Sequence, residues 1–285
     1  MKKVFIVNPM SGQGRALEII KYIESKCKEN HENYEIIYTS FKYEASSIAK
    51  KCNNCIIYAV GGDGTINEVV NGMAYSNSLL HVIPAGSGND FYKTISKCKE
   101  GIMDIDLCKV NDKYFENSAS IDIDAEISNN ASLMKKLNIP KSQIYNASII
   151  YTFLKYKPYL LNVENKEMLY SLLTITNGKY YGGGFKITPD ADLSDGYLNL
   201  CSLDNVKKIE LISFLLNVIK EEHYGKKHVH NSKIKNLKVT SNVEILCGVD
   251  GECIRSNEFN FKVCPNAIRY YNHDDYDIKR LIVSK

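Results

Sequence analysis

The chain has no apolar run approaching the roughly 18 residues that a membrane-spanning helix needs. Its greasiest stretches, such as Glu210–Ile219, are interrupted by polar residues. No secretory leader is expected, because Met1-Lys2-Lys3 runs straight into a short apolar stretch ending at Asn8-Pro9. It lacks a dominant charge: 36 Lys and Arg against 33 Asp and Glu leave +3, too little for a whole-chain attraction to nucleic acid. It lacks a low-complexity tract, and it lacks the even, closely spaced cysteines of a secreted disulfide scaffold. Its nine cysteines are scattered, and Cys52-x-x-Cys55 has neither a second pair nor nearby histidines to complete a zinc site. The expectation is a cytoplasmic protein with reduced thiols, no nucleic-acid partner and only peripheral contact with membranes.

What is present describes an ordinary globular protein, 44% hydrophobic and 24% charged. A chain of 285 residues favours two domains over one. The first hundred residues repeat a short apolar run, a glycine-bearing loop and a helical pattern. Strands are expected at Val4–Val7, Tyr34–Tyr38, Ile56–Val60 and Leu79–Ile83. Between them, Ala16, Ile19, Ile20, Ile23 and Cys27 mark one helical face, and helices are expected at Ala45–Lys51 and from Ile66 to Tyr75. Such alternation implies a parallel sheet covered on both faces. Past Asp104 strand-like stretches follow one another: Met103–Val110, Tyr114–Ser120, Leu169–Thr176, Tyr197–Ser202, Lys235–Val239, Glu244–Val249 and Phe259–Cys264. Helical patterns interrupt them at Gln143–Lys155 and Val206–Glu222. The expectation is an α/β fold of two domains, the second an antiparallel β-sandwich, with Pro84 to Asp104 as the crossover.

Three loops stand at the carboxyl ends of first-domain strands, where ligands bind in open α/β sheets. Asn8-Pro9-Met10-Ser11-Gly12-Gln13-Gly14-Arg15 lets backbone N–H groups approach phosphate oxygens, with a helix behind. It is neither a Walker loop nor a dinucleotide fingerprint, and a plain turn is the alternative. Gly61-Gly62-Asp63-Gly64-Thr65 adds a carboxylate, which repels phosphates unless a metal or a proton lies between, so Asp63 suggests Mg²⁺ or base chemistry. Its alternative is a capping box of Thr65 and Glu68. Pro84-Ala85-Gly86-Ser87-Gly88-Asn89-Asp90-Phe91 offers Ser87 and Asn89 as neutral donors, or Asn89 and Asp90 as helix caps.

Together these loops resemble the diacylglycerol-kinase catalytic domain family, which includes bacterial lipid kinases, ceramide kinases and sphingosine kinases. Later matches are Asn117 with Asp124-Ala125, Asn177-Gly178, Gly182-Gly183-Gly184, Pro189-Asp190-Ala191, Asp195-Gly196 and Val249-Asp250-Gly251-Glu252, so the resemblance covers nearly the whole chain. It implies a nucleotide-binding domain over residues 1–115, a sandwich over 116–267 and a tail, 268–285, that returns to the first domain or not. It implies ATP in the cleft, held by Asn8, Pro9, Ser11, Gly12, Gly14, Thr39, Gly61, Gly62, Asp63, Gly64, Thr65, Asn67, Glu68 and Ser87. A structural Mg²⁺ is implied at the Asp192–Tyr197 turn, through the Asp195 carboxylate and the carbonyls of Asp192 and Tyr197. Asp250, Glu252 and Asp63 are the implied catalytic carboxylates. If the backbone at Asp250 is extended, residues two apart point the same way and both reach one hydroxyl; the alternative is a hairpin turn at Asp250-Gly251.

Two positions depart from the family pattern: Asp122 stands where a glycine is usual, and Tyr43-Glu44 precedes Ala45 after Thr39. The implied reaction is transfer of a γ-phosphoryl group from ATP, with Mg²⁺, to the hydroxyl of a lipid, most simply diacylglycerol in phospholipid metabolism. The implied partner is lipid at a membrane surface, and a homodimer is allowed. The rivals are a soluble-metabolite kinase of the NAD-kinase type and a nucleotide-binding regulator without turnover. Lys226–Lys238 either faces anionic lipid or is a solvated face, and Tyr145, Tyr151, Tyr156 and Tyr159 either line an acceptor cleft or pack.

Overall fold

A computed structural model describes residues 1–134 and 157–278, with 144, 147, 148, 151–153 and 155 between them. The first domain follows the alternation read from the sequence: β1 (Lys2–Val7), α1 (Arg15–Glu29), β2 (Tyr34–Tyr38), α2 (Glu44–Lys51), β3 (Cys55–Gly61), α3 (Asp63–Met73) and β4 (Leu79–Pro84). Every residue of β3 and β4 is buried, as a strand covered on both faces requires. The stripe Ala16, Ile19, Ile20, Ile23 and Cys27 packs one face of the sheet, against Phe5, Val7 and Tyr58, while α2 and α3 cover the other. The parallel order is β4-β3-β1-β2. The chain leaves β1 in one direction for β2 and returns on the other side for β3. The loops after β1 and β3 therefore lie side by side at the switch point, where an open α/β sheet has its crevice.

The crossover holds α4 (Asp90–Ile95) and leads to β5 (Gly101–Val110), β6 (Lys113–Phe115), β7 (Ser118–Asp122) and α5 (Ile123–Met134). Then come β8 (Tyr159–Val163), β9 (Lys166–Thr176), the small hairpin β10 (Tyr180–Tyr181) and β11 (Phe185–Lys186), and β12 (Leu198–Asp204). The described chain closes with α6 (Lys208–Ile219), β13 (Val229–Ile234), β14 (Asn236–Val249) and β15 (Glu252–Asn272). Apart from the far end of β15, pairing beyond β5 is antiparallel, around a core that includes Phe115, Leu173, Ile175, Phe259 and Phe261.

Three sequence expectations change shape. Lys235–Val239 and Glu244–Val249 are one strand, β14, whose register shifts between Thr240 and Ile245. Phe259–Cys264 is the middle of the 21-residue β15. Tyr114–Ser120 breaks into β6 and β7. The far end of β15 returns to the first domain, Arg269 and Tyr270 pairing in parallel with Leu79 and Leu80 of β4, and Tyr276 and Ile278 pack with Phe5 and Tyr58. Of the helix expected at Gln143–Lys155 the described residues are helical; Tyr145 and Tyr156 lie outside the described residues.

Candidate active site

The three glycine loops touch one another, and the contacts explain Gly12, Gly86 and Gly88. A Cβ on Gly12, whose φ is +59°, would lie 2.1 Å from the Ala85 carbonyl oxygen, and one on Gly86 would lie 2.5 Å from Gly62 Cα. A Cβ on Gly88 would approach Asp63 Oδ2 to 2.8 Å. Across the switch point the Asn8 amide Nδ2 donates to Thr65 Oγ1 at 3.2 Å, and Asn8 N–H donates to the Val60 carbonyl at 3.0 Å. The capping box is not formed: Gly62 is the N-cap of α3, and Glu68 instead accepts the Ala45 N–H at 3.2 Å. Asn89 folds its own loop, accepting from Gly86 N–H and donating to the Gly86 carbonyl. Asn8, Ser11, Thr39, Gly62, Gly64, Thr65 and Glu68 line one cavity of about 430 Å³, together with Lys42 and Glu252. Pro9, Gly12, Gly14, Gly61 and Ser87 shape or flank those loops, Ser87 exposed at the tip of the third.

Beside it lies a smaller cavity of about 150 Å³ walled by Asp63, Asp90, Glu116 and Asp250. Asp63 opens α3 with Oδ1 buried and without a partner. Burial first, then the charges of Asp90 and Asp250, push its carboxyl up, against the pull of the Phe91 and Asn89 N–H groups. Asp250 accepts from Ser118 N–H at 2.8 Å, Glu116 N–H at 2.9 Å and the Asn67 amide at 2.9 Å. The same Asn67 amide donates to Glu116 Oε2 at 2.9 Å, so Asn67, expected at the nucleotide, serves the acid pocket. Glu116 is fully buried, its Oε1 is unpartnered, and burial followed by the Asp250 charge drives its carboxyl well up. Sequence reading missed Glu116, because a lone glutamate before Asn117 carries no spacing signal.

The premise that Asp250 and Glu252 point the same way is corrected. Asp250 and Gly251 have φ of +45° and +82°, so the backbone there is a hairpin turn between β14 and β15 and not extended. The turn sends Asp250 into the acid pocket and Glu252 into the loop cavity. There Glu252 bonds Lys42 at 2.5 Å and also Lys113. Burial raises its carboxyl, but the two ammonium groups outweigh burial and hold it below the ordinary value.

The Asp192–Tyr197 turn lines neither of these cavities. Asp195 accepts Tyr197 N–H at 3.0 Å and pairs with Lys233 at 2.5 Å, while Asp192 accepts from Ser194. Asp106, a buried residue not singled out from sequence, anchors the turn by accepting Gly196 N–H at 2.7 Å and Asn266 N–H at 2.9 Å. Among the described residues no three His, Cys, Asp or Glu side chains converge on a metal position. The turn's donors are one carboxylate and backbone carbonyls, hard oxygens of the kind that suit Mg²⁺ with its remaining water. Lys233 with Asp195, Lys235 over Tyr197 and Lys238 with Glu258 make the Lys233–Lys238 end of the basic stretch a paired, solvated face.

A third cavity, about 480 Å³ and almost wholly apolar, lies between α5 and α6. Ile123, Ile127, Leu172, Ile187, Leu211 and Phe214 are among its walls. Tyr181 and Gly182 line both this groove and the acid pocket, and Tyr181 donates its hydroxyl hydrogen to Ser120 at 3.0 Å. Of the tyrosines expected at an acceptor cleft, Tyr151 is exposed and Tyr159 bonds Glu126 at 2.5 Å.

Residues 2–114 match the family model of the diacylglycerol kinase catalytic domain, and residues 117–272 match that of the YegS C-terminal NAD kinase beta sandwich-like domain. A diacylglycerol kinase of Bacillus subtilis is 28% identical over 277 residues, 88% of this chain and 90% of its own. A diacylglycerol kinase of Staphylococcus epidermidis is 30% identical over 69% of this chain and 67% of its own. In fold, a crystal structure of a diacylglycerol kinase from Bacillus anthracis superposes with a TM-score of 0.66 at 18% identity, over 96% of this chain and 98% of that one. The α/β domain and the sandwich behind it agree with these matches, and the chain belongs to the diacylglycerol kinase family.

Proposed function

We propose that the chain is an ATP- and Mg²⁺-dependent kinase that transfers the γ-phosphoryl group to the hydroxyl of a membrane lipid, diacylglycerol first, in phospholipid metabolism. One observation carries the lipid reading: the apolar groove meets the acid pocket at Tyr181 and Gly182, so a greasy tail and a reacting hydroxyl have adjoining places. The groove favours acyl chains over a soluble dinucleotide.

In this reading the three loops hold the nucleotide phosphates through backbone N–H groups, with Asn8, Ser11, Thr39, Thr65 and Ser87 adding neutral hydrogen bonds and Lys42 and Lys113 adding charge. Asp250, held by three N–H donors, takes the proton of the acceptor hydroxyl. The acceptor oxygen then bonds to the γ-phosphorus as the bond to the β-phosphate oxygen breaks, and ADP leaves. Mg²⁺ accompanying the nucleotide neutralises phosphate charge, and the unpartnered Oδ1 of Asp63 suits it as a donor. A second, structural Mg²⁺ would rest on Asp195 with the Asp192 and Tyr197 carbonyls, which asks Lys233 to release that carboxylate.

The test is transfer of labelled phosphate from ATP to diacylglycerol in vesicles, to a lipid extract and to NAD. Labelled phosphatidic acid with no labelled NADP is expected. Label in NAD and in no lipid overturns the acceptor, and no transfer to any hydroxyl makes the protein a nucleotide-binding regulator. For the turn, Mg²⁺ without nucleotide should raise the Tm of the wild type and not of Asp195→Ala; equal rises in both remove the structural site.

A further inference from the structure

Helix α6 is apolar on two sides. Leu211, Phe214 and Val218 are buried against Ile123, Leu172 and Ile187. On the outside Ile209, Ile212, Leu216 and Ile219, spaced three and four apart, are 69%, 41%, 53% and 59% exposed. A soluble surface helix presents polar residues on its outer face, and one greasy all round belongs inside a core or in lipid. We propose that the outer face of α6 docks this protein on an anionic lipid bilayer. The proposal rests on the lipid-acceptor reading above and names how that acceptor arrives.

Two observations select a bilayer over a second copy of the chain. Leu215 and Ile219 are exposed and also line the apolar groove, so the face and the groove are one continuous surface. A bilayer on this face delivers its lipids into the groove, whereas a second copy seated there would shut the mouth. Second, exposed lysines frame the helix: Lys207 and Lys208 at its start, Lys220 at its end, and Lys226 and Lys227 beyond. Of the acids among them, Glu210 accepts the Lys207 N–H and Glu221 pairs with Lys186, which leaves the exposed Glu222 against five lysines. An apolar stripe with a basic rim is the pattern of a helix lying in the headgroup region.

The experiment sediments the full chain with large vesicles, of phosphatidylcholine alone or with phosphatidylglycerol, without ATP or added acceptor. Docking is thus read separately from phosphoryl transfer: vesicle binding without lipid phosphorylation retains this proposal and removes the kinase reading. Combining Ile209→Ser, Ile212→Ser and Leu216→Ser should weaken binding at least about 10-fold. These side chains lie outside the groove, so Tm and turnover on a dispersed short-chain diacylglycerol should match the wild type. Lys226→Gln with Lys227→Gln should cost roughly 30-fold on anionic vesicles and little on neutral ones. Unchanged sedimentation of the triple variant overturns the proposal. So does a wild type that is dimeric without vesicles and that the triple substitution makes monomeric, which assigns the face to a second copy.

Discussion

The acid pocket around Asp250 and the loop cavity around Glu252 meet at a single hairpin, yet their carboxylates are handled in opposite ways. Glu252 is matched by two ammonium groups, Lys42 and Lys113, and its carboxyl is held below the ordinary value. Asp250 is held by the N–H groups of Ser118, Glu116 and Asn67, with the buried Glu116 carboxyl beside it. Neutral N–H donors fix a carboxylate in place and orient it without setting an opposite full charge beside it. Ammonium groups cancel the charge and leave a corner tolerable to phosphates. Two residues of separation in sequence thus become two surroundings, and in the proposed mechanism two jobs, because left-handed backbone at Asp250 and Gly251 turns the chain between them.

The comparison breaks most visibly in rates. Asp250→Asn should lower kcat by about 10²–10⁴-fold with little change in the KM for ATP, the range for loss of a general base. Glu252→Gln should act on binding instead, lowering the KM for ATP by roughly 10-fold at nearly unchanged kcat, because two freed ammonium groups and a missing negative charge favour phosphate in ground and transition state alike. Steady-state kinetics on vesicle-borne diacylglycerol separates the two. Equal losses of kcat in both variants would make the hairpin a single catalytic unit and erase the distinction drawn here.

How far each pocket was legible in sequence follows the same divide. The loop cavity was readable, since Gly61-Gly62-Asp63-Gly64-Thr65 and its companions follow strong apolar strands and glycine is the residue that close backbone approach demands. The acid pocket was half readable: Asp250 and Asp63 stood in motifs, while Glu116 and the amide role of Asn67 arise from long-range packing that no local pattern records. In the fold, the parallel strands were legible because a strand buried on both faces is a continuous apolar run. Edge strand β13, with His230, Asn231, Ser232 and Lys233 all exposed, gave no alternation to read. The apolar groove was illegible for another reason: α5, β9, β11 and α6 are distant in sequence and only the sheet brings them together.

A smaller effect sharpens the contrast through stability. Glu252 has cations to offset its charge, whereas Asp63 keeps an unpartnered oxygen among Asp90, Asp250 and buried surroundings. Its folded pKa lies above the ordinary carboxylate value, so the unfolded chain loses this proton first and ionisation favours unfolding. The penalty is complete above the folded pKa and fades as pH falls through it toward the ordinary value. Asp63→Asn removes the charge at nearly constant volume. The ligand-free variant should therefore melt above the wild type at neutral pH, by roughly 2–4 °C if about 1 kcal/mol is recovered. The gap should close on acidification, as the wild-type carboxyl takes up its proton. Phosphoryl transfer should fall in the same variant, since the destabilising carboxylate is the one proposed above to meet the cation that accompanies ATP. Calorimetric melts of both proteins from neutral to acidic pH read the first effect and labelled-phosphate assays the second. A variant that melts below the wild type across the whole range would show that the Phe91 and Asn89 N–H groups outweigh burial, making Asp63 a structural anchor of α3.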